Sequence, residues 1–219
     1  MTDVEGNCAR VLARIQEAAL RSGRDPALIR LIAVTKTVPA ENIRRAARCG
    51  VRHIGENRLQ EALPKIEVLR GLGLTWHFIG HLQTNKARKA VEHFDWVQSV
   101  DRLELAEKLN QVSRKQVPVL IEVKLDPEPA KSGIDPDGLA NFLEHFARFE
   151  RLRLQGLMAI PPFAEDPEDA RPYFQKLRRL AERFGLAELS MGMSHDFEVA
   201  IEEGATMVRI GTALFGQRR

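Results

Sequence analysis

The run Leu31-Ile32-Ala33-Val34-Thr35-Lys36 indicates the fold class, because it is short, apolar and closed by a lysine. Its first four residues are apolar without alternation, as is typical of a strand covered on both faces in a parallel sheet. Similar runs recur along the chain, and stretches with a helical period separate them. The sequence predicts strands over residues 31–36, 53–57, 75–81, 96–100, 118–125, 154–160, 188–194 and 207–211.

The alternation of these strands with helices predicts a closed barrel. Helices are predicted near residues 38–49, 58–70, 84–93, 101–114, 136–150, 167–185 and 195–204, and an extra N-terminal helix covers roughly residues 3–22. This alternation implies right-handed crossovers and an all-parallel sheet. No Gly-x-Gly-x-x-Gly motif follows the first strand, so a dinucleotide-binding open sheet is disfavoured. We therefore expect an α/β fold with one (β/α)8 TIM-type barrel domain over residues 1–219.

The composition limits the class of protein. The 219 residues are 44% hydrophobic, which suffices for one sizeable core. The 33 basic residues face 30 acidic ones, for a formal net charge of +3, and this balance does not favour nucleic-acid binding. The N-terminus lacks the basic and apolar regions of a signal peptide, and no stretch is long enough to span a membrane. We expect a cytoplasmic protein without membrane contact.

Lys36 is the sharpest functional signal, because functional groups of parallel barrels lie at the carboxyl ends of the strands. Period-2 alternation puts it on the same strand face as Ile32 and Val34. If that face points inward, the Lys36 ammonium rises into the mouth of the barrel, where desolvation lowers the pKa of a lysine and permits attack on an aldehyde. The alternative is a strand-end lysine that extends its charge into solvent.

The segments after the seventh and eighth predicted strands give a second signal. In barrels of this kind these two loops commonly bind phosphate. Met193 and Ser194 precede a predicted helix, with Ser194 as its expected N-cap, and Gly211 and Thr212 end the last strand. Backbone N–H groups and a helix dipole favour an anion there. The alternative is a capping serine and a turn glycine that bind no ligand.

Arg209 lies within the eighth predicted strand, on the same face as Gly211. An arginine inside an apolar strand is costly unless it is paired. We expect it to point at a ring nitrogen or a phosphate. The alternative is a buried ion pair with an acid at a strand end, such as Glu56 or Glu122.

Two histidines share one face of the third predicted strand, His77 and His81. Their spacing suggests a metal site, but zinc needs three or four ligands and the spacing fixes no third one. We therefore expect no metal.

Motifs over nearly the whole chain, in the same order, resemble those of the pyridoxal phosphate homeostasis protein family, which is related to the N-terminal domain of alanine racemases. The matching motifs are Ala33-Val34-Thr35-Lys36-Thr37-Val38-Pro39, His53-Ile54-Gly55-Glu56-Asn57-Arg58, Trp76-His77-Phe78-Ile79-Gly80-His81-Leu82-Gln83-Thr84-Asn85-Lys86, Lys131-Ser132-Gly133, Gly156-Leu157-Met158-Ala159-Ile160, Leu189-Ser190-Met191-Gly192-Met193-Ser194 with Asp196-Phe197, and Ala205-Thr206-Met207-Val208-Arg209-Ile210-Gly211.

The resemblance implies a fold-type III barrel that carries pyridoxal 5′-phosphate, with the cofactor aldehyde bound to Lys36 as a Schiff base. Ser194, Gly211 and Thr212 would contact the phosphate, and Asn57 would lie beside the ring. The full set of cofactor-binding residues that it implies is Lys36, Asn57, Met193, Ser194, Arg209, Gly211 and Thr212. It also implies a mostly monomeric protein that buffers the cofactor, or delivers it to recipient apoenzymes, in intracellular vitamin B6 homeostasis without catalytic turnover.

Two residues depart from the family pattern. His195 stands where a small residue is usual, beside the expected phosphate loops, where it would add a titratable group. Lys124 stands where asparagine is common, at the end of the fifth strand, and a second lysine there would compete for the aldehyde. We prefer a solvated substitution as the interpretation of both.

A racemase-like enzyme is the alternative function. Racemisation needs a base on each face of the cofactor–amino acid adduct, and Lys36 would serve one face. In alanine racemases a second domain of a partner subunit supplies the other base, and we expect that domain to be absent here. The only tyrosine, Tyr173, is predicted in a helix after the sixth strand. The sequence therefore favours a cofactor carrier.

Overall fold

The computed structural model describes residues 2–125 and 132–217, and in these ranges eight strands form a closed barrel in the order β1 to β8. All neighbouring strands pair in parallel, including β8 with β1. This confirms the predicted barrel. The strands are β1 Arg30–Val34, β2 His53–Glu56, β3 Thr75–Phe78, β4 Trp96–Val100, β5 Val117–Glu122, β6 Leu152–Met158, β7 Glu188–Ser190 and β8 Met207–Ile210.

Helices surround the barrel at the predicted places. They are α1 Val4–Arg21, α2 Ala40–Arg48, α3 Leu59–Val68, α4 Ala87–His93, α5 Leu103–Val112, α6 Leu139–Phe146, α7 Arg171–Arg183, α8 Phe197–Glu202 and α9 Thr212–Phe215. The short last helix was not predicted. Within the described part of the chain, no helix has the length and apolar character needed to cross a membrane.

Six of the eight strands are shorter than the sequence predicts. All except β4 end one to four residues earlier, so several candidate site residues lie in loops instead of in strands. Thr37, with φ of 62°, marks the turn after β1, and Gly192, with φ of 89°, marks the turn after β7. At Gly192 a side chain would also place its Cβ 2.5 Å from the Cβ of Ala200. The chain therefore leaves the sheet sharply at the mouth of the barrel.

The N-terminal helix supports the C-terminal part of the barrel. Five of its buried residues recur at helical spacing and form one apolar face: Val4, Cys8, Val11, Ile15 and Ala18. This helix packs against α8 and α9. Arg14 forms an ion pair of 2.6 Å with Glu198, and the Asn7 side chain donates a 2.8 Å hydrogen bond to the Leu214 carbonyl. The helix thus fixes the segments that flank the loops after β7 and β8.

The barrel interior has an apolar part and a polar part. Ile32, Leu120, Met158 and Met207 form a small buried cluster with Trp96 packed against it. Buried polar side chains share this interior: His77, Gln98, Ser190 and Arg209. Interiors of such barrels are usually filled by branched apolar residues. The polar part departs from this usual composition.

Candidate functional site

The candidate residues converge at the mouth of the barrel because four neighbouring strands carry them. The loops after β7, β8, β1 and β2 contain Ser194, Gly211, Lys36 and Asn57, respectively, and these strands are consecutive in the closed sheet. Arg209 pairs in register with Ile32, four residues before Lys36, so the arginine lies deeper in the barrel than the lysine. The structure thus brings the predicted site residues to one side of the mouth.

Lys36 lies in the turn after β1, and a hydrogen-bonded cluster holds that turn. Thr35 is buried, and its hydroxyl donates a 2.7 Å hydrogen bond to the Glu56 carboxylate. The Lys65 ammonium donates to the Thr35 carbonyl at 2.6 Å and to Glu56 at 2.7 Å. Lys36 itself is exposed. This exposure does not fit the expected desolvation of the lysine: β1 ends at Val34, and Lys36 lies in the turn that follows.

Arg209 is buried, with 4% of its surface exposed. Its guanidinium donates a 2.7 Å hydrogen bond to the Ser190 hydroxyl and a 2.8 Å hydrogen bond to the Ala159 carbonyl. Burial lowers the pKa of Arg209 to about 10, and the nearby carboxylates of Glu122 and Asp196 oppose this shift. The group therefore remains a cation at neutral pH and can only donate hydrogen bonds.

The ion pair considered for Arg209 is not what the structure shows. Its hydrogen bonds go to a hydroxyl and a carbonyl instead, and Glu56 pairs with Lys65. Glu122, the last residue of β5, influences Arg209 through space. Burial raises the pKa of Glu122 to about 7, with a further contribution from the negative charge of Asp101.

The loops after β7 and β8 are joined by one hydroxyl. Ser194 Oγ accepts hydrogen bonds from the backbone N–H groups of Gly211 at 3.3 Å and Ala213 at 3.2 Å. Thr212, the first residue of α9, lies between these two N–H groups and is exposed. The Ser194 and Thr212 hydroxyls and the backbone N–H groups at this helix start, two of which donate to Ser194 in this structure, form a donor-rich cup. Such a cup suits a phosphate.

Ser194 does not cap the following helix, contrary to the sequence prediction. That helix begins at Phe197 and is preceded by Asp196, whose carboxylate accepts a 2.6 Å hydrogen bond from the Met193 N–H. This short turn leaves the Ser194 hydroxyl directed toward α9 instead of toward its own helix. Met193 thus contributes to the cup by its backbone, through the turn that positions Ser194.

Asn57 follows β2 and has an unsatisfied polar atom. Its Oδ1 is buried and lacks a hydrogen-bond partner among the described residues. Gly80 permits the close approach of the two loops, since a Cβ there would lie 2.3 Å from the Asn57 carbonyl oxygen. Asn57 also lines a cavity of about 510 Å³ together with Phe78, His81 and Lys86. An unsatisfied buried amide oxygen is costly without a ligand or water.

The two histidines of the third strand belong to different surroundings. His77 is buried and contacts Gln98 at 2.9 Å, whereas His81 is exposed and lies 3.2 Å from the Asp101 carboxylate. Among the described residues, no group of three or more His, Cys, Asp or Glu side chains is arranged to hold a metal ion.

The two residues that depart from the family pattern lie at the rim. His195 is exposed, and its Nε2 donates a 2.8 Å hydrogen bond to the Glu165 carbonyl, beside the ring of Phe163. It therefore contacts the loop after β6. Lys124 is half-buried just beyond β5, where its backbone N–H bonds the Ile134 carbonyl. Lys131 of the matching Lys-Ser-Gly motif lies outside the described residues.

Sequence reasoning missed the partners of Arg209. Ser190 is the last residue of β7, and Gln98 on β4 accepts a 2.7 Å hydrogen bond from its hydroxyl. The available signal was Gln98, a polar residue within the mostly apolar strand β4. The sequence does not show which side chain lies opposite Gln98 in the barrel, so the signal could not identify Ser190 as its partner.

The site residues fit a phosphorylated aromatic aldehyde. An exposed primary amine, a cup of N–H and hydroxyl donors and a buried guanidinium follow one another around the mouth. Asn57 Oδ1, which lacks a hydrogen-bond partner among the described residues, adds a hydrogen-bond acceptor to the site. These chemical groups are the ones needed to form a bond with an aldehyde, to hold a phosphate and to contact a ring nitrogen.

Known proteins share this chain's sequence and fold. The family model described as alanine racemase, N-terminal domain, matches residues 8–219. The pyridoxal phosphate homeostasis protein of Aquifex aeolicus is 48% identical over 96% of both chains. That of Escherichia coli K12 is 45% identical over 100% of this chain and 98% of its own.

Solved structures agree with this relationship. PipY of Synechococcus elongatus, solved with PLP bound, is 43% identical with a TM-score of 0.81, covering 92% of this chain and 100% of its own. An alanine racemase of Clostridium difficile is 17% identical with a TM-score of 0.71, covering 97% of this chain and 56% of its own, and it shows the shared fold alone. The fold is thus that of the alanine racemase barrel, and the chain belongs to the pyridoxal phosphate homeostasis protein family.

Proposed function

We propose that this protein binds pyridoxal 5′-phosphate on Lys36 and takes part in intracellular homeostasis of that cofactor. One observation carries the proposal: the exposed lysine follows β1, the buried arginine lies on β8, and the donor-rich cup follows β7 and β8, so that three consecutive strands carry these groups. The names of the relatives and the PLP-bound PipY structure support the choice of ligand.

Each group has a defined task in this proposal. The Lys36 amine forms a C=N bond with the aldehyde carbon while the C=O bond breaks and the oxygen leaves as water. Ser194, Gly211 and Thr212 hold the phosphate through charge-assisted hydrogen bonds. Asn57 lies beside the ring, and Met193 supports Ser194.

Arg209 favours a carrier over an enzyme. A guanidinium that remains charged donates a hydrogen bond to the ring nitrogen and does not supply a proton to it. An unprotonated ring is a weak electron sink, and amino-acid chemistry on this cofactor depends on that sink. Tyr173, the only tyrosine in the sequence, lies on α7 in the outer helical layer, so it does not reach the mouth as a second base. A racemase-like activity is therefore the less favoured function.

The carrier proposal also covers the protein's location, its oligomeric state and the delivery of the cofactor. The relatives are named homeostasis proteins, and the chain resembles them over its whole length. We place it in the cytoplasm as a single-domain monomer, residues 1–219, that holds the cofactor reversibly and passes it to recipient apoenzymes. Size-exclusion chromatography with light scattering tests the monomer. Reactivation of a cofactor-free PLP enzyme by the loaded protein tests delivery.

The central test is the position of the covalent bond. The purified protein is expected to be yellow, with an absorption band at about 420 nm that belongs to the imine of the cofactor. Borohydride reduction followed by peptide mapping should place the adduct on Lys36. Lys36→Ala should lose most of the reducible linkage, whereas the matched variant Lys124→Ala should keep it. An adduct found chiefly on Lys124 would show the site assignment to be wrong.

A further inference from the structure

A continuous chain of hydrogen bonds crosses the barrel interior below the mouth. Arg209 Nη1 bonds Ser190 Oγ at 2.7 Å, and Ser190 Oγ bonds Gln98 Oε1 at 2.7 Å. Gln98 Nε2 lies 2.9 Å from His77 Nδ1, and His77 Nε2 lies 3.0 Å from His53 Nδ1. We call these five residues the interior chain. It links β8, β7, β4, β3 and β2, which include strands on opposite sides of the barrel.

The hydrogen bonds of the interior chain all run in one direction, away from the arginine. A guanidinium only donates, so the Ser190 oxygen accepts from Arg209, and the Ser190 hydroxyl donates its hydrogen to Gln98 Oε1. Gln98 therefore accepts at Oε1 and presents its Nε2 hydrogens to His77. This leaves a lone pair on His77 Nδ1 and the proton on His77 Nε2, which donates to His53. One cation thus sets the tautomers of two histidines.

An independent contact supports this direction. Gln98 Nε2 also lies 3.4 Å from the Met207 sulfur, which accepts and cannot donate. The amide nitrogen must therefore face the side of His77 and Met207. Burial lowers the pKa of His77 well below its ordinary value, with further contributions from His53 and Arg30. His77 is thus neutral, as an acceptor at Nδ1 requires.

A polar interior needs a reason, because apolar side chains would pack there without the cost of burying polar groups. His77, Gln98 and Ser190 are each at most 1% exposed. Ser190, the residue of the interior chain that contacts Arg209, is hydrogen-bonded to both Arg209 and Gln98. Arg209 carries the only permanent charge among the five residues. We infer that Ser190 and Gln98 are positioning residues that hold the Arg209 guanidinium in one orientation toward the cofactor ring.

This inference rests on the proposed function only for the ring that faces Arg209. The interior chain itself is tested in the ligand-free protein, by two-bond proton–nitrogen NMR of the imidazoles after histidine labelling with ¹⁵N. His77 and His53 are expected as neutral forms with the proton on Nε2. In Ser190→Ala the amide of Gln98 is released, and a population of His77 with its proton on Nδ1 should appear. A wild-type His77 that carries its proton on Nδ1 would overturn the interior chain.

The positioning role is tested by titration with pyridoxal phosphate. Ser190→Ala and Gln98→Leu are expected to bind it about tenfold more weakly, as for loss of one hydrogen bond to a charged group, with a displaced absorption band. Gln98→Leu adds apolar volume beside the interior cluster, so it serves if Ser190→Ala does not fold. Ser113→Ala is the matched control, because among the described residues that buried hydroxyl bonds the Leu109 carbonyl and no other group.

The outcomes separate the two proposals. Wild-type affinity and an unchanged band in both variants, with an altered His77 tautomer, would overturn the positioning role. A similar loss in Ser113→Ala would overturn it as well, since any buried hydroxyl would then suffice. If the wild-type protein did not take up pyridoxal phosphate at Lys36, the proposed function would fail while the tautomer result would stand on its own.

Discussion

Glu122 provides a pH-dependent test of the barrel mouth. This half-buried carboxyl ends β5, and Asp101 and Arg209 act on it from neighbouring parts of the mouth. Burial, the largest cause, and Asp101 together raise its pKa from 4.5 to about 7, against the opposing effect of Arg209. We expect Glu122→Gln to stabilise the ligand-free protein at pH 8 and to leave its stability nearly unchanged at pH 4.5.

The sign follows from proton linkage. Between pH 4.5 and about 7 the carboxyl of Glu122 is protonated in the folded chain and ionised in the unfolded one, so stability falls as pH rises through this interval. At 1.36 kcal/mol per pH unit, the interval from 4.5 to about 7 amounts to about 3 kcal/mol. Solvent reaches this half-buried group and screens its charge, so we expect a gain of about 2 kcal/mol at pH 8.

The assay is urea unfolding followed by circular dichroism at pH 5, 6, 7 and 8, with the difference between variant and wild type at each pH as the result. Other titrating groups affect both proteins equally and cancel in that difference. Glu144→Gln is the matched control, because that side chain is exposed on α6. Asp101→Asn in the wild-type background should shift the fall in stability to lower pH. Parallel curves for wild type and Glu122→Gln from pH 5 to 8 would refute the reasoning.

Three further predictions concern the cup, a loop contact and catalysis. Ser194→Ala combined with Thr212→Val should weaken binding of pyridoxal phosphate more than binding of pyridoxal, by about 1.5–3 kcal/mol for each lost hydrogen bond. Equal losses for the two ligands would show that the phosphate binds elsewhere. Gly80→Ala should lower the free energy of unfolding by about 1–3 kcal/mol, since its Cβ would lie 2.3 Å from the Asn57 carbonyl oxygen; Gly138→Ala, whose nearest neighbour is 3.9 Å away, should not. D-alanine formation from L-alanine at saturating cofactor should be orders of magnitude slower than the about 1–1000 turnovers per second of typical enzymes, and one turnover per second or more would promote the racemase alternative.

The order of strands was predictable because burial on both faces leaves a signal in each strand. Runs such as Leu31 to Val34 are apolar without alternation, because both faces of β1 are covered in the folded barrel. The strand ends were not predictable from this signal. At the mouth the chain turns at Thr37 and Gly192, and the polar residues there extend the apparent strands without joining the sheet.

The place of a candidate site residue was predictable where it depends on a position along one strand. Lys36 and Gly211 were expected after strand ends because they follow apolar runs, and both follow strand ends in the structure. The capping role expected for Ser194 was wrong, because its hydroxyl bonds Gly211, 17 residues away, and local sequence suggests only a cap of the following helix. The bond between Ser190 and Gln98 joins residues 92 apart on strands that are not neighbours. The hydrophobic periodicity of a short segment does not predict a contact between residues so far apart in the sequence.

The depth of the groups explains why a carrier suits this barrel. Arg209 lies 4% exposed in the interior, whereas Lys36 lies exposed at the rim. In the proposed function, non-covalent contacts would hold the buried end of the cofactor, and the covalent bond would form where water can reach it. Because water reverses an imine, an exposed linkage favours release, whereas an enzyme that handles a reactive carbanion gains from excluding water. If Lys36 carries the cofactor as proposed, a ring held at depth and a covalent bond open to solvent would favour reversible loading.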